Sequence, residues 1–200
     1  FVSSAWAQTP LPPLFREVCE QGLVTANPRF FPIEAMMRQK GARNCQEAYE
    51  ALILEEDYSL DSYRNETTHH PDPTLLQYAP GLRRVDLSLA GTRTLNGLLG
   101  LKLIEKLDLE LHFIPDLSPL AQLKSLKTLF IDSPQVEVVS GYHWLKDLPQ
   151  LTGLELRSAK VRDPDFLDGL NPAMWALDFG HNDLTTVARF LQFKQLRFLQ

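Results

Sequence analysis

One six-residue pattern, Leu-x-x-Leu-x-Leu, recurs through most of the chain at a nearly constant interval. Its complete copies are Leu82/Val85/Leu87, Ile104/Leu107/Leu109, Leu126/Leu129/Ile131, Leu151/Leu154/Leu156 and Met174/Leu177/Phe179, and a sixth copy opens with Leu196 and Leu199. The starts lie 22, 22, 25, 23 and 22 residues apart, so the period survives insertions. Positions behind each copy align as well. Ten residues on come Thr92, Ile114, Val136, Val161 and Leu184, and thirteen on come Leu95, Leu117, Val139, Pro164 and Val187. Three before the next start stand Leu101, Leu123, Leu148, Asn171 and Phe193. Leucine is concentrated accordingly: of 36 leucines, 30 lie from Leu75 onward.

A unit of this length cannot bury its apolar side alone. Neighbouring units must stack and share one core, which is the logic of a solenoid. Each block reads as a short strand followed by a turn and a return segment, with strands joined edge to edge as a parallel sheet. A leucine-rich helical bundle is excluded, because a 3.6-residue period does not generate these blocks every 22 residues.

The stretch from Ile114 that reads IPDLSPLAQLKSL resembles the leucine-rich-repeat family, in particular the 22-residue class of bacterial internalins. The resemblance covers residues 75–200. It implies an α/β fold: a leucine-rich-repeat solenoid, a curved parallel sheet shaped as a horseshoe, preceded by a small helical N-terminal cap. It also implies a scaffold for binding proteins, without catalysis of its own. One departure stands out. Eight residues after each start, where the family usually carries asparagine, the chain has Ala90, His112, Pro134, Ala159 and Asn182. Only Asn182 can supply the side-chain hydrogen bonds of an asparagine ladder, so the other bends must satisfy their backbone through water or local turns, and the solenoid is expected to be less regular than a consensus array.

Residues 8–56 read as the cap. Pro12 and Pro13 precede an apolar helix ending near Gly22, a second helix is expected over 32–39, and Asn44 with Glu47 forms a capping box for a third. The segment is similar to the cysteine-containing helical region that precedes repeats in some exported bacterial proteins. Cys19 and Cys45 are the only cysteines. In an exported chain they are expected to form a disulfide; two buried thiols would instead belong to a reducing compartment. Residues 1–7 end in the A-x-A spacing of Ala5 and Ala7 and are read as the remnant of a secretory signal. Residues 57–74 are a polar connector in which Tyr58, Leu60 and Tyr63 form an irregular first strand, and Asn65 begins a glycosylation sequon. Gln200 falls inside a repeat just begun, so the repeats are expected to be truncated at that end. No run of 18 apolar residues occurs, hence no complete transmembrane helix in this stretch.

Alternation along each strand turns a second set of residues to the concave face. Its middle row reads Asp86, Asp108, Phe130, Glu155, Asp178 and Gln200; Arg84 and Lys106 flank it on one side, Glu110, Asp132 and Arg157 on the other. The expected partner-binding residues are Arg84, Asp86, Lys106, Asp108, Phe130, Glu155, Arg157 and Asp178. Such an acidic strip with an aromatic anchor favours a basic or mixed-charge protein. A net charge of −5 argues against nucleic acid. The aromatics of Ser140 to Trp144 form a second surface candidate, although Trp144 reads better as filling an enlarged turn.

No catalytic or cofactor constellation emerges. His69 and His70 sit in the polar connector without ligands at metal spacing, and His112 and His181 fall three units apart. There is no nucleophile elbow and no phosphate loop. Adjacent carboxylates such as Asp86 and Asp108 can recruit a cation, but no metal or cofactor is expected. The expected function is therefore a non-enzymatic interaction module of an exported bacterial protein, located in the periplasm, at the cell surface or secreted. The alternatives are a spacer within a larger surface protein and a cytosolic regulatory adaptor.

Overall fold

Each Leu-x-x-Leu-x-Leu block folds as one short strand because its last two apolar residues point inward together, leaving the residue between them on the opposite face. The structure, a computed structural model, describes residues 10–22, 37–38, 40–59, 73–92, 94–111, 114, 116–133 and 141–200. The strands are β1 (Asp57–Ser59), β2 (Arg84–Thr92), β3 (Lys106–Leu111), β4 (Thr128–Asp132), β5 (Gly153–Arg157), β6 (Ala176–Asp178) and β7 (Phe198–Leu199). They form a single parallel sheet in strict chain order, the topology of a leucine-rich-repeat solenoid. The blocks align one to one: Val85, Leu107, Leu129, Leu154 and Leu177 share one column, and Leu87, Leu109, Ile131 and Leu156 the next.

Sheet continuity is maintained by a repeated backbone staple just before each strand. The carbonyl of Arg83 accepts from the N–H groups of Glu105 and Lys106, that of Glu105 from Lys127 and Thr128, and that of Lys127 from Thr152 and Gly153, at 2.7–3.0 Å. Thr152 and Trp175 continue the series into β6 and β7. The return segments are short 3₁₀ turns: Pro73–Tyr78, Ser118–Gln122, His143–Asp147, Asp165–Gly169 and Ala188–Gln192. They bury another apolar column, Leu76, Leu120, Leu145, Leu167 and Phe190, which Leu98 joins from the turn over 96–100 and which the strand pattern does not mark. Each chain passage then steps back to the sheet through i→i−3 hydrogen bonds such as Leu120 N–H to Leu117, Leu123 to Leu120 and Leu126 to Leu123.

The core is one continuous cluster from Phe15 to Phe193. The three buried positions of the five complete blocks are all at most 4% exposed. Toward the end of the chain the columns open: Val187, Leu191 and Leu199 are exposed, and Leu196 is half-buried. Tyr142 and Trp144 point inward, with Trp144 Nε1 donating to the Gly141 carbonyl at 3.1 Å. Trp144 is thus a buried packing residue and not an exposed anchor. Tyr142 begins an aromatic stack that runs through Phe166 and Phe179 to Phe190, with successive centroids 5.5, 6.1 and 5.4 Å apart.

The cap is built from α1 (Pro13–Gly22) and α2 (Cys45–Ile53). Asn44 caps α2, accepting from the Glu47 N–H at 3.0 Å. Glu47 returns the contact one residue further out, accepting from the Arg43 N–H at 2.9 Å, because the Arg43 guanidinium draws its carboxylate there. A Cys19–Cys45 disulfide joins the two helices, with Cα atoms 5.9 Å apart. The helix expected over 32–39 lies largely outside the described residues, as do residues 1–7, Leu60, Tyr63, the Asn65 sequon, His69, His70 and His112. Cap and repeats meet in an edge-to-face trio, Phe15, Tyr49 and Tyr78, with centroids 5.1–6.3 Å apart.

Asn182 behaves as the one surviving rung of an asparagine ladder. Its Oδ1 accepts from the N–H groups of Ala159 and Val161, both at 3.0 Å, and its Nδ2 donates to the carbonyls of Leu156, Phe179 and Gly180. Around it Ser158, Lys160 and His181 take positive φ values of 51°, 54° and 59°. Non-glycine residues adopt that region only when their surroundings compensate, and Asn182 supplies the compensation.

Candidate functional site

The concave face presents the outward residues of β2 to β6. Register pairing sets Asp86 beside Asp108, Asp108 beside Phe130, Phe130 beside Glu155 and Glu155 beside Asp178. The flanking row runs Arg84, Lys106, Thr128, Gly153, Ala176 and Phe198, and the row beyond pairs Glu110 with Asp132 and Asp132 with Arg157. Six carboxylates therefore share the surface with three cations.

The strip is less open than strand alternation alone implies. Asp108 is 8% exposed and Asp178 is fully buried. The covering groups are their own counter-ions. Lys106 Nζ lies 2.7 Å from Asp108 Oδ2. Arg157 donates to Asp178 Oδ2 through Nε at 2.9 Å and Nη2 at 2.5 Å, while Asp178 Oδ1 accepts from the Gly180 N–H at 2.7 Å. Fixed in this way, the Arg157 guanidinium stacks over the Phe130 ring, 5.5 Å from its centroid, and reaches within 3.6 Å of Glu155. A guanidinium anchored from behind and laid on an aromatic face is held in place before any ligand arrives.

These contacts shape the electrostatics. Burial pushes the Asp108 carboxyl above the usual range; Lys106 opposes that shift and Asp86 adds to it. Burial likewise raises Glu155, reinforced by Asp178 and Asp108 and opposed by Arg157 and Lys106. The Arg157 guanidinium is raised by its hydrogen bonds to Asp178.

Of the eight expected binding residues, Lys106, Asp108, Phe130, Glu155, Arg157 and Asp178 form one connected cluster. Asp86 borders it. Arg84 does not join: its guanidinium is committed to Asp57 on β1. Sequence reasoning passed over the row just ahead of the strands, occupied by Arg83, Glu105, Lys127, Thr152, Trp175 and Arg197. There Glu105 bridges Arg83 at 3.0 Å and Lys127 at 2.8 Å, and Trp175 is 46% exposed. Its signal was available: these are the residues directly after each repeat-opening apolar position. Cys19 and Cys45 lie in the cap, apart from this face. Among the described residues, no group of three or more His, Cys, Asp or Glu side chains is placed to hold a metal ion.

Comparison with known proteins places the fold. No family model matches the chain, and no curated protein does. Solved structures do. An internalin C2 from Listeria monocytogenes superposes with a TM-score of 0.60 at 19% identity, over 90% of this chain and 95% of that one. A leucine-rich-repeat protein from Leptospira interrogans superposes with a TM-score of 0.54 at 20% identity, over 78% of this chain. The match spans 44% of the Leptospira protein. The chain thus has an internalin-like leucine-rich-repeat fold.

Proposed function

We propose that this solenoid is a non-enzymatic protein-interaction module of an exported bacterial protein, and that its partner binds on the concave sheet face. The carrying observation is the Phe130 centre. A half-buried aromatic lies in mid-sheet beneath an arginine that Asp178 holds in place, bordered by carboxylates in register. Aromatic and arginine side chains in such settings supply most of the binding energy of protein interfaces. The residues assigned to contact are Asp86, Lys106, Asp108, Phe130, Glu155 and Arg157, with Arg84 at the margin; Asp178, fully buried, serves by holding Arg157 from beneath.

Export is supported by the Cys19–Cys45 bond, which fits an oxidising compartment, and by the A-x-A spacing at Ala5 and Ala7. The fold's neighbours are an internalin and a leucine-rich-repeat protein of two bacteria. Among the described residues no helix is long and apolar enough to cross a membrane.

The test is affinity capture from envelope and host-cell extracts with the native chain and with the Phe130→Ala/Glu155→Gln variant, each shown folded by circular dichroism. Partners retained by the native chain and lost by the variant support the reading. Equal capture by both removes the concave face from consideration.

A further inference from the structure

Two oxygen atoms on the concave face break the rule that buried polar atoms find partners. Asp108 Oδ1 and Asp132 Oδ1 are both shut off from solvent, and neither accepts a hydrogen bond. They belong to adjacent strands and to the surroundings of one ring. Asp108 is the register partner of Phe130, and Asp132 follows Phe130 by two residues on the same strand and the same face. Glu155 borders the ring on its other side. An aromatic face edged by three carboxylates is chemically a receptor for a cation.

One of the protein's own side chains already uses half of this receptor. The Arg157 guanidinium lies on the Phe130 ring but spends its hydrogen bonds on Asp178. Lys106 likewise satisfies Asp108 through Oδ2 alone. The internal cations thus leave one oxygen of Asp108 and one of Asp132 without a donor. Leaving such acceptors buried and unpaired is destabilising, so their place in the fold is better explained by a donor that arrives from outside.

We propose that this part of the concave face receives one basic side chain of the protein partner, its stem packed along Phe130 and its N–H groups donating to Asp108 Oδ1 and Asp132 Oδ1. This rests on the concave face being the binding surface, and it names what the partner must present. Arginine fits better than lysine, because its planar fork offers several donors at fixed angles to two acceptors, whereas an ammonium is a compact point charge. Entry displaces Lys106 sideways, while Arg157 stays on Asp178 and shares the ring with the incoming stem. Lys106 is a long side chain, 49% exposed, with room to swing aside. The charge balance allows one more cation, since six carboxylates share this face with three cations.

The experiment titrates the 200-residue chain with a short arginine peptide, following Phe130 ring and Asp132 signals by NMR. Controls are the same peptide with citrulline, a neutral isostere, in place of arginine, and an acidic peptide of equal length. The expected result is a saturable response centred on Phe130, about tenfold weaker for citrulline and for the Asp132→Asn variant, the loss of one charge-assisted hydrogen bond. Asp108→Asn is a second variant of unchanged volume, and thermal unfolding shows that each remains folded. Equal response to citrulline, no saturable response at tens of millimolar, or full binding by both variants overturns the proposal. Partner capture run in parallel separates the two readings. If Phe130→Ala/Glu155→Gln abolishes capture while the arginine peptide fails to bind, only the basic side chain is rejected. If capture is unchanged, the concave surface itself is rejected.

Discussion

At the residue scale, Asn182 carries a structural load that can be itemised bond by bond. It ties two successive bends together through five hydrogen bonds, in a region where three non-glycine residues hold positive φ. Asn182→Ala is expected to destabilise the fold by about 2–3 kcal/mol, since it strands backbone donors and carbonyls without replacing them; urea unfolding measures this, and an unchanged midpoint contradicts it. Asp108 and Glu155 give a second residue-level expectation. Both carboxyls are raised by burial in the folded chain, so the folded state binds these protons more tightly than the unfolded state does. Their contribution to stability is therefore fully present below the ordinary carboxylate value of about 4 and is lost as pH rises through the raised folded values. The exposed carboxylates of Asp57 and Glu105, lowered by Arg84 and Lys127, act in the opposite sense, but screening by solvent limits their weight. Unfolding midpoints of Asp108→Asn/Glu155→Gln should fall less than those of the native chain as pH is raised from that value. Parallel profiles would show that neither carboxyl is perturbed.

At the scale of elements, the disulfide and the turns make separable predictions. Repeat arrays hold together by nearest-neighbour contacts, so reducing Cys19–Cys45 should loosen the cap while leaving β3 to β6 formed. The chain-entropy model puts the cost at about 3.5 kcal/mol for this loop. Hydrogen exchange with and without reductant should show lost protection in α1 and α2 and little change in β4 and β5; uniform loss along the chain contradicts this. Gly97 marks where the first complete repeat closes on the turn before it. Its φ is +84°, and an added Cβ would lie 2.1 Å from the Pro73 carbonyl oxygen. Gly97→Ala should cost about 2 kcal/mol or more, measured by thermal unfolding.

The order of the strands and the register of their repeat blocks were legible in the sequence because a solenoid writes one physical requirement, a shared core, into every unit; the extension of β2 through a register shift to Thr92 was not. Asp86 beside Asp108 and Phe130 beside Glu155 follow directly from the period. The 3₁₀ turns were less legible: Leu76, Leu120 and Leu145 continue a three-residue step that strand alternation does not reveal. The site was legible as a set of rows and not as contacts. That Asp178 is buried beneath Arg157, and that Arg84 turns away to Asp57, depends on which long side chain reaches which carboxylate. Register does not determine that.

Across the molecule as a whole, labour divides at right angles: leucines set the scaffold along the chain, and charge across the strands sets the face. A net charge of −5 and the carboxylate excess on that face should speed encounter with a basic partner. The association rate is expected to fall as salt rises from low to physiological strength, with much less change in the dissociation rate; surface plasmon resonance separates the two, and a salt-independent association rate contradicts the charge argument. The central claim is that recognition is centred on Phe130 and not on the exposed rim at Trp175. Its most direct test is the affinity of the captured partner for Phe130→Ala and for Trp175→Ala. The expected result is a loss of about thirtyfold for Phe130→Ala and little change for Trp175→Ala. The reverse order would contradict it.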